Sequence, residues 1–439
     1  MNAPAADLDR RRPPPPAAPE ERTAANRPNA WQRLLRTRLL AAMEGLGDCR
    51  LVFEDALETR VLGRPAREPA ETLHAHVRVL DPGFYRQVAL KGSVGAGEAY
   101  MDGAWACDDP VALVRILVRN RDRLDAMDTG LARIGGSAMR LAHALTRNTR
   151  AGSRRNVAAH YDLGNDLYRL FLDENLMYSS AIFARAGESL EVASTRKLDR
   201  ICDKLGLHAG HHVVEIGTGW GGFALHAARR HGCRVTTTTI SREQHALATR
   251  RVAEAGLQDR VNVLLQDYRD LQGRYDRLVS IEMVEAIGHQ YLDTYFRKLG
   301  DLLADDGLAV VQAITIEDRR YARALRSVDF IKRHVFPGSF IPSISALHGA
   351  AVRASDLRLT HLEDIGPSYA LTLQAWRERF LARLPEVRAL GYDARFARMW
   401  EFYLAYCEGA FRERAIGDVQ LLLAKPGSRA PEYLPGLAG

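Results

Sequence analysis

The chain has 439 residues, of which 46% are hydrophobic and 26% are charged, and its formal net charge is +7. These values predict a globular enzyme of two or three domains and exclude a disordered or fibrous chain. The basic excess fits association with nucleic acid or with an anionic membrane surface, but dispersed arginines are also common on proteins that bind neither.

The cysteines and the apolar runs exclude further classes. The five cysteines lie far apart and form no Cys-x-x-Cys pair, which predicts a reducing compartment, no disulfide framework and no zinc site. No apolar run is long enough to span a bilayer, and the N-terminus lacks the apolar core of a signal peptide. We therefore expect a cytoplasmic protein that is soluble or peripheral at a membrane.

The first 156 residues predict a tail, a small α+β region and a linker. Residues 1–29 are rich in Pro, Ala, Arg and Glu, which predicts a disordered tail. Helical spacing covers residues 31–46 and 111–124, and residues 50–53 and 73–80 have the pattern of short strands. Residues 30–140 are expected to form an α+β domain. The polar and basic stretch 141–156 is expected to be a linker, with a phosphate-contacting patch as the alternative.

From residue 210 onward, apolar strand runs alternate with helical segments. The strand runs are residues 213–216, 234–240, 261–265, 275–281, 307–315 and 419–424. This alternation predicts a doubly wound, mainly parallel sheet that binds ligands at the carboxyl ends of its strands. Residues 316–342 interrupt the pattern and are expected to form a cap, and residues 426–439 a tail.

A glycine-rich loop follows the first of these strands. Gly217, Gly219 and Gly222 have the spacing G-x-G-x-x-G, which lets the backbone approach a ribose or phosphate closely. A dinucleotide enzyme would place an acidic residue about 20 residues further on. This chain has Thr239 there, although Arg242 could serve NADP. From the loop alone, three possibilities remain open: NAD(P), S-adenosylmethionine, or neither of these cofactors.

The end of the third strand favours S-adenosylmethionine. Asp267 offers a carboxylate that can accept a hydrogen bond from an adenine amino group, and Tyr268 offers a ring that can stack on the base. Together with Glu215 before the glycines, this is the layout of a class I S-adenosylmethionine methyltransferase. Asp267 has an ordinary alternative role as a helix N-cap.

A series of short motifs then runs in order through residues 157–425. They are HYDLGNDL (160–167), MYSSA (177–181), the glycine loop, TISREQ (239–244), LQDYRD (265–270), FPG (336–338) and CEGAFR (407–412). The chain thereby resembles the cyclopropane-fatty-acyl-phospholipid synthase family, which includes mycolic-acid cyclopropane synthases and fatty-acyl C-methyltransferases. Residues 92–103 resemble the N-terminal domain of its longer, phospholipid-using members.

The resemblance implies methyl transfer from S-adenosylmethionine to the cis double bond of an unsaturated phospholipid acyl chain, followed by proton loss. In cyclopropane-forming members a bound bicarbonate is the base. The implied fold is a Rossmann-like class I S-adenosylmethionine methyltransferase sheet with a helical cap (316–342), plus a lipid- or membrane-associated N-terminal α+β domain. The implied partners are unsaturated phospholipids at the inner membrane face, with no nucleic acid and no metal. A homodimer is left open.

Two sets of site residues carry over by position from the family. The expected cofactor contacts are Tyr178, Gly217, Thr218, Gly219, Thr239, Gln244, Asp267 and Tyr268. The expected catalytic residues are Glu285, Tyr369, Gln312, Ser180, Cys407 and, through its backbone, Ile314. Of these, Glu285, Ile314 and Tyr369 match bicarbonate-site positions. Tyr178 and Tyr369 are candidates for stabilising positive charge through their aromatic faces.

Three departures from the family pattern alter the expected anion site. Ser180 stands where the family usually has Cys, Gln312 where it has His, and Ala286 where a His follows the catalytic Glu. Gln can donate a hydrogen bond but cannot change its charge near neutral pH as His can. In these motifs the chain more closely resembles relatives that make methylene or methyl-branched chains. We expect a cyclopropane product, with a methylene or methyl-branched chain as the alternative.

Rival interpretations apply to the whole chain and to single residues. The chain could be a small-molecule methyltransferase, or a lipid-binding protein without activity. Cys407 could belong to the core, and Glu282 could be a solvated neighbour of Glu285. His160 and His289 are expected to be structural. The basic segment 319–333 is expected either to contact an anionic bilayer or to form a solvated helix face.

Overall fold

The computed structural model describes residues 27–126, 164–185 and 187–429. The expected linker 141–156 and His160 therefore lie outside the described residues. The same holds for most of the expected tails at 1–29 and 426–439, and for the C-terminal end of the expected N-terminal domain at 127–140.

The N-terminal part is a small sheet with helices. Its elements are α1 (Ala30–Met43), β1 (Cys49–Glu54), β2 (Thr59–Leu62), β3 (Leu73–Val79), α2 (Gly83–Met101), β4 (Trp105–Cys107), α3 (Pro110–Arg119) and α4 (Arg121–Ala126). The strand order is β2-β1-β3-β4, with β1 and β3 parallel. Buried side chains alternate with more exposed ones along β1 and β3, so this sheet buries one face.

The first helix and the two strands expected from the sequence here are present, but the single helix expected over 111–124 is wrong. It breaks at Asn120, whose Nδ2 donates to the carbonyl oxygens of Ile116 (2.8 Å) and Gly47 (3.1 Å). This side chain ends α3 by bonding its last turn and ties it to the loop after α1. The sequence interpretation also missed α2, which bends at Gly92 (φ +56°).

The C-terminal part contains a seven-stranded sheet. Its helices are α5 (Asn165–Arg169), α6 (Leu190–Leu205), α7 (Gly222–His231), α8 (Arg242–Glu254), α9 (Leu292–Leu302), α10 (Asp318–Leu325), α11 (Ile344–Ala354), α12 (Gly366–Ala382), α13 (Leu384–Ala389) and α14 (Ala394–Arg412). Its strands are β5 (His212–Ile216), β6 (Arg234–Thr239), β7 (Val261–Leu265), β8 (Tyr275–Ile281), β9 (Leu303–Ile316), β10 (Arg358–Asp364) and β11 (Ile416–Ala424).

The strand order is β10-β11-β9-β8-β5-β6-β7, and β5 to β9 run parallel. The predicted mainly parallel sheet is therefore confirmed. The last strands depart from it, because β11 pairs antiparallel with β9 and β10 pairs antiparallel with β11. The edge strand β10 was not predicted, since its half-buried sequence RLTHLED lacks an apolar run.

Helices cover both faces of this sheet. One core cluster packs α6 and α7 against the sheet, and another packs α9 and α11 against the opposite face. A third cluster runs from the N-terminal sheet, through Phe402 and Trp400 of α14, to Trp220 at the glycine loop. The N-terminal part is thus packed onto the helices that line the carboxyl end of the larger sheet.

The segment 316–342 contains α10 and a π-helical turn at Ile331–Val335. Its Phe340 N–H donates to the carbonyl oxygen of Glu285 (3.0 Å), which brings the segment to the expected catalytic edge. The expectation that Lys332 contacts a bilayer is wrong. Its ammonium is buried and donates to the carbonyl oxygens of Ala324 (2.6 Å), in the last turn of α10, and of Ser327 (3.0 Å), just beyond that helix.

Two other basic residues of this segment are paired. Arg319 donates to Glu317 (2.7 Å), and Arg320 is bonded to Asp122. Within the described residues, no helix combines the length and the apolar character needed to cross a membrane.

Candidate active site

The glycine loop leaves the carboxyl end of β5 and turns into α7. Gly217 and Gly219 adopt φ values of +101° and +52°, which favour glycine. A side chain at Gly219 would meet no atom within 4 Å, whereas one at Gly222 would lie 2.5 Å from the Met177 sulfur. Gly219 therefore leaves room for a ligand, and Gly222 instead allows close packing.

Threonines connect this loop to the end of β6. The Thr239 hydroxyl donates to Gln244 Oε1 (2.8 Å) at the start of α8, and the Thr218 and Thr237 hydroxyls are 2.7 Å apart. Thr237 also donates to Glu215 (2.6 Å), and burial raises the pKa of this glutamate to about 8. Glu215 is thus connected to the loop through Thr237. The expected cofactor contacts Thr218, Thr239 and Gln244 lie together at the carboxyl edge of the sheet.

Asp267 and Tyr268 follow β7 at the same edge. Asp267 accepts hydrogen bonds from the Arg269 backbone (3.0 Å) and side chain (2.8 and 2.6 Å), so the N-cap role considered from the sequence is present. Tyr268 is buried, with its ring 5.8 Å from that of Tyr295.

The centre of the site is the carboxylate of Glu282, directly after β8. Its Oε1 accepts from the Ser180 N–H (2.8 Å) and from Gln312 Nε2 (2.8 Å), and its Oε2 accepts from the Tyr369 hydroxyl (2.7 Å). The interpretation of Glu282 as a solvated neighbour of Glu285 is therefore wrong. Three donors from distant segments surround this carboxylate and desolvate it.

Glu285 lies one turn further on and uses a different donor. Its Oε1 accepts from the Ile314 N–H (2.6 Å), and its Oε2 is buried without a hydrogen-bond partner among the described residues. Burial, together with the nearby Glu282, raises the pKa of Glu285 to about 8. Near neutral pH this carboxyl group is therefore mostly protonated.

Behind Glu282 lies a buried chain of polar side chains that the sequence interpretation missed. Lys204 donates to Gln420 (2.7 Å), Gln420 Nε2 donates to Gln312 Oε1 (3.0 Å), and Gln312 then donates to Glu282. Gln312 Nε2 also lies 3.2 Å from Asp418. This chain fixes which end of the Gln312 amide faces Glu282, so Gln312 is a positioning residue.

A signal for this chain was present in the sequence. Asp418 and Gln420 are polar residues two apart in an otherwise apolar strand run, and they pair in register with Ile314 and Gln312. Polar groups at successive same-face positions of a buried strand require partners. The predicted run at 419–424 began one residue too late to include Asp418.

Aromatic rings form a wall beside these acids. The Tyr178 ring lies 5.2 Å from Trp376 and 6.3 Å from Phe336 of the FPG motif, and its hydroxyl is 2.8 Å from that of Tyr403. Tyr369 stacks on Phe411 (4.4 Å). Such faces attract positive charge and bury apolar ligands.

Two contacts join the glycine loop to the acids and the aromatic wall. A side chain at Gly217 would lie 3.1 Å from Met283, the residue after Glu282. On the other side, Tyr168 lies 4.7 Å from Trp220 of the loop and 5.2 Å from Tyr178. The glycine loop therefore lies next to both the glutamate-bearing segment and the aromatic wall.

Cys407 lies in the layer behind the wall. It is half-buried among apolar residues, and burial raises the pKa of its thiol well above the usual range. It is therefore a neutral thiol rather than a reactive thiolate, which supports the core interpretation over a nucleophile.

The structure groups three potential metal ligands that sequence spacing did not suggest. The ligand atoms of Cys202, His226 and His231 lie within 4.8 Å of one another, between α6 and α7. His226 already bonds Asp199 (2.9 Å), which also pairs with Arg230 (3.1 Å). The nearby guanidinium opposes a bound cation.

The two small molecules expected from the resemblance fit this site differently. The open loop at Gly219 and the polar groups of Thr239, Gln244 and Asp267 suit S-adenosylmethionine. The expected bicarbonate does not fit. The Ser180 N–H, the Gln312 amide and the Tyr369 hydroxyl all donate to Glu282, and the Ile314 N–H donates to Glu285.

Comparison with known proteins gives a consistent result. A family model described as mycolic acid cyclopropane synthetase matches residues 148–421. The tuberculostearic acid methyltransferase UfaA1 of Mycobacterium tuberculosis is 37% identical over 385 residues, covering 86% of this chain and 88% of that protein. The cyclopropane-fatty-acyl-phospholipid synthase of Escherichia coli K12 is 37% identical over 359 residues, covering 79% and 86%.

Solved structures agree with the fold. The cyclopropane synthase MmaA2 of M. tuberculosis matches with a TM-score of 0.58 at 30% identity, covering 62% of this chain and 98% of that one. CmaA1, a mycolic acid cyclopropane synthase complexed with SAH and CTAB, gives 0.58 at 31% with the same coverage. The class I methyltransferase fold expected from the sequence is confirmed.

Proposed function

Because the chain belongs to the mycolic acid cyclopropane synthetase family, whose members are S-adenosylmethionine-dependent methyltransferases, we propose that it adds one carbon to the cis double bond of unsaturated phospholipid acyl chains and forms a cyclopropane. The observation that carries this proposal is the placement of buried carboxyl groups beside an aromatic wall at the glycine loop.

This arrangement suits alkene methylation. S-adenosylmethionine, when bound, supplies an electrophilic methyl group on a sulfonium centre. An alkene is a weak nucleophile, so the protein must exclude water, align the acyl chain and stabilise the resulting positive charge. We propose that Tyr178 and Tyr369 supply aromatic faces for that charge, each worth about 0.5–2 kcal/mol. We also propose that the cofactor contacts are those expected from the sequence.

The site disfavours the rival functions. A small polar substrate would need polar side chains to orient it, whereas Tyr369, which donates to Glu282, packs against Trp376 (6.1 Å), and Trp376 packs against Tyr178. A lipid-binding protein without activity would not need the buried carboxyl groups, which cost free energy to desolvate. The phospholipid substrate implies work at a membrane surface, and we propose peripheral attachment to its inner face.

One alternative product has a specific observation in its favour. The relative matching 86% of the chain is named for tuberculostearic acid, whereas the cyclopropane synthase of E. coli covers 79% at the same identity. A hydride shift before proton loss would give a methylene chain instead of a ring. Both products begin with the same methyl transfer.

The test is to incubate the purified protein with methyl-labelled S-adenosylmethionine and liposomes of monounsaturated phospholipid. Liposomes of the saturated phospholipid and free unsaturated fatty acid serve as controls. We expect label in the unsaturated phospholipid alone, and gas chromatography of its methyl esters separates a cyclopropane from a methylene chain. Mild hydrogenation provides a second criterion, because it consumes only the methylene chain. Failure to label any lipid while S-adenosylmethionine binds would refute the proposal.

A further inference from the structure

The donors around Glu282 form a complete carboxylate-binding set. One backbone N–H, one amide and one phenol donate to its two oxygens at 2.7–2.8 Å. A carboxylate and a bicarbonate present the same O–C–O unit to donors, so the two compete for one position. The Glu282 carboxylate is favoured over a free bicarbonate, because its covalent attachment to the chain removes the entropy cost of binding.

The backbone of Glu282 is held in a conformation that glutamate rarely adopts. Its φ is +47°, in the left-handed region, where a residue with a side chain is strained. Its N–H nevertheless donates to the carbonyl oxygen of Gln312 (2.8 Å), so the position is fixed by the sheet. A glycine at this position would not be strained. The hydrogen bonds of the Glu282 side chain must therefore offset the strain of its backbone.

Among three neighbouring acidic side chains, Glu282 is the one whose surroundings favour the ionised form. It faces Glu285 and Asp418, with buried Lys197 as the nearby cation. Burial raises the pKa of all three acids, but Glu282 alone accepts three hydrogen bonds, which oppose the rise. Glu285 accepts from backbone N–H groups alone, including that of Ile314, and Asp418 is hydrogen-bonded to Gln312 and to Glu282 itself. The negative charge therefore resides mainly on Glu282.

We propose that Glu282 is the proton acceptor of this enzyme and replaces an external bicarbonate. The inference rests on the proposed function. After methyl transfer, the carboxylate takes a proton from the transferred carbon. The electron pair of that C–H bond closes the ring onto the cationic carbon, which leaves a cyclopropane and a neutral Glu282. After a hydride shift, removal of the same proton gives the methylene chain, so the role of Glu282 does not depend on the product.

The test compares wild type with Glu282→Gly in carbon-dioxide-free buffer, with and without added bicarbonate or formate. The assay follows labelled methyl transfer into monounsaturated phospholipid vesicles. Wild type should be equally active in all buffers. Glu282→Gly should lose about 10²–10⁴-fold, as for removal of a general base, and should recover when bicarbonate or formate fills the vacated donors. Glycine tolerates the left-handed backbone, so this variant should fold.

Two further measurements keep the result decisive. A ¹³C-bicarbonate NMR titration should show binding to Glu282→Gly and none to wild type, independently of turnover. Glu401→Gln, at a buried glutamate that accepts from Tyr100 (3.0 Å) away from the site, should remain bicarbonate-independent.

Three results would overturn the inference. These are a wild type that loses activity when bicarbonate is removed, a Glu282→Gly protein with full activity in carbon-dioxide-free buffer, and a folded, cofactor-binding Glu282→Gly protein that no added anion restores. A wild type that labels no lipid in any buffer would instead refute the proposed function, and the NMR titration would still decide whether Glu282 excludes bicarbonate.

Discussion

Replacing Tyr369 by Phe removes one donor from Glu282 and leaves the packing in place. The hydroxyl donates to Glu282 Oε2 at 2.7 Å, while the ring stacks on Phe411 at 4.4 Å and would remain there. A hydrogen bond to a charged group is worth about 1.5–3 kcal/mol. This bond favours the ionised form of Glu282, so its loss must raise the pKa of that carboxyl group.

The consequence is a shift in the pH dependence of turnover. If Glu282 must be ionised to accept a proton, turnover falls on the acid side as it becomes protonated. Loss of about 1.5–3 kcal/mol should move this acid limb upward by roughly one to two pH units in Tyr369→Phe. At pH values above the shifted limb, the variant should recover much of its rate, apart from any lost aromatic stabilisation of the cation.

The assay measures kcat against pH with saturating cofactor and phospholipid vesicles. Tyr100→Phe is a matched control, because its hydroxyl also donates to a buried glutamate, Glu401 (3.0 Å), outside the site. The control should leave the acid limb unchanged, and calorimetry should give both variants the wild-type affinity for S-adenosylmethionine. An acid limb at the same pH in Tyr369→Phe and wild type would refute the assignment of Glu282 as base.

Three further predictions follow from the same geometry. Because burial raises the pKa of Glu285 to about 8, Glu285→Gln resembles the form present at pH 7 and should reduce kcat far less than Glu282→Gln; equal losses would contradict this division of roles. Calorimetric titration should detect S-adenosylmethionine and not NAD, since Thr239 stands where an NAD site needs an acid, and tight NAD binding would refute the cofactor assignment. Gly222→Ala should lower the melting temperature, with a loss of about 1–3 kcal/mol, because its methyl group would lie 2.5 Å from the Met177 sulfur and 2.6 Å from the Asn175 carbonyl oxygen. Gly47→Ala, whose methyl group would meet only the Asn120 side-chain oxygen at 3.8 Å, is its control, and equal melting temperatures would contradict the packing argument.

The sequence by itself determined the α/β class, most strands of the large sheet and the position of the glycine loop. These features depend on local patterns. Apolar runs of strand length alternate with helical spacing, and left-handed turns at Gly217 and Gly219 need glycine wherever they occur. Elements with weak apolar patterns were missed, such as the edge strand β10.

Only the tertiary structure decided the chemistry of the acids. Glu282 and Glu285 both follow a strand and look alike in sequence, but the donors of Glu282 come from Ser180 and Tyr369, which are 102 and 87 residues away along the chain. Lys332 shows the same limit, because a lysine in a basic segment looks exposed until neighbouring carbonyl groups are seen to accept from it. Charge and burial depend on which distant segments meet, and local sequence carries no direct record of those contacts.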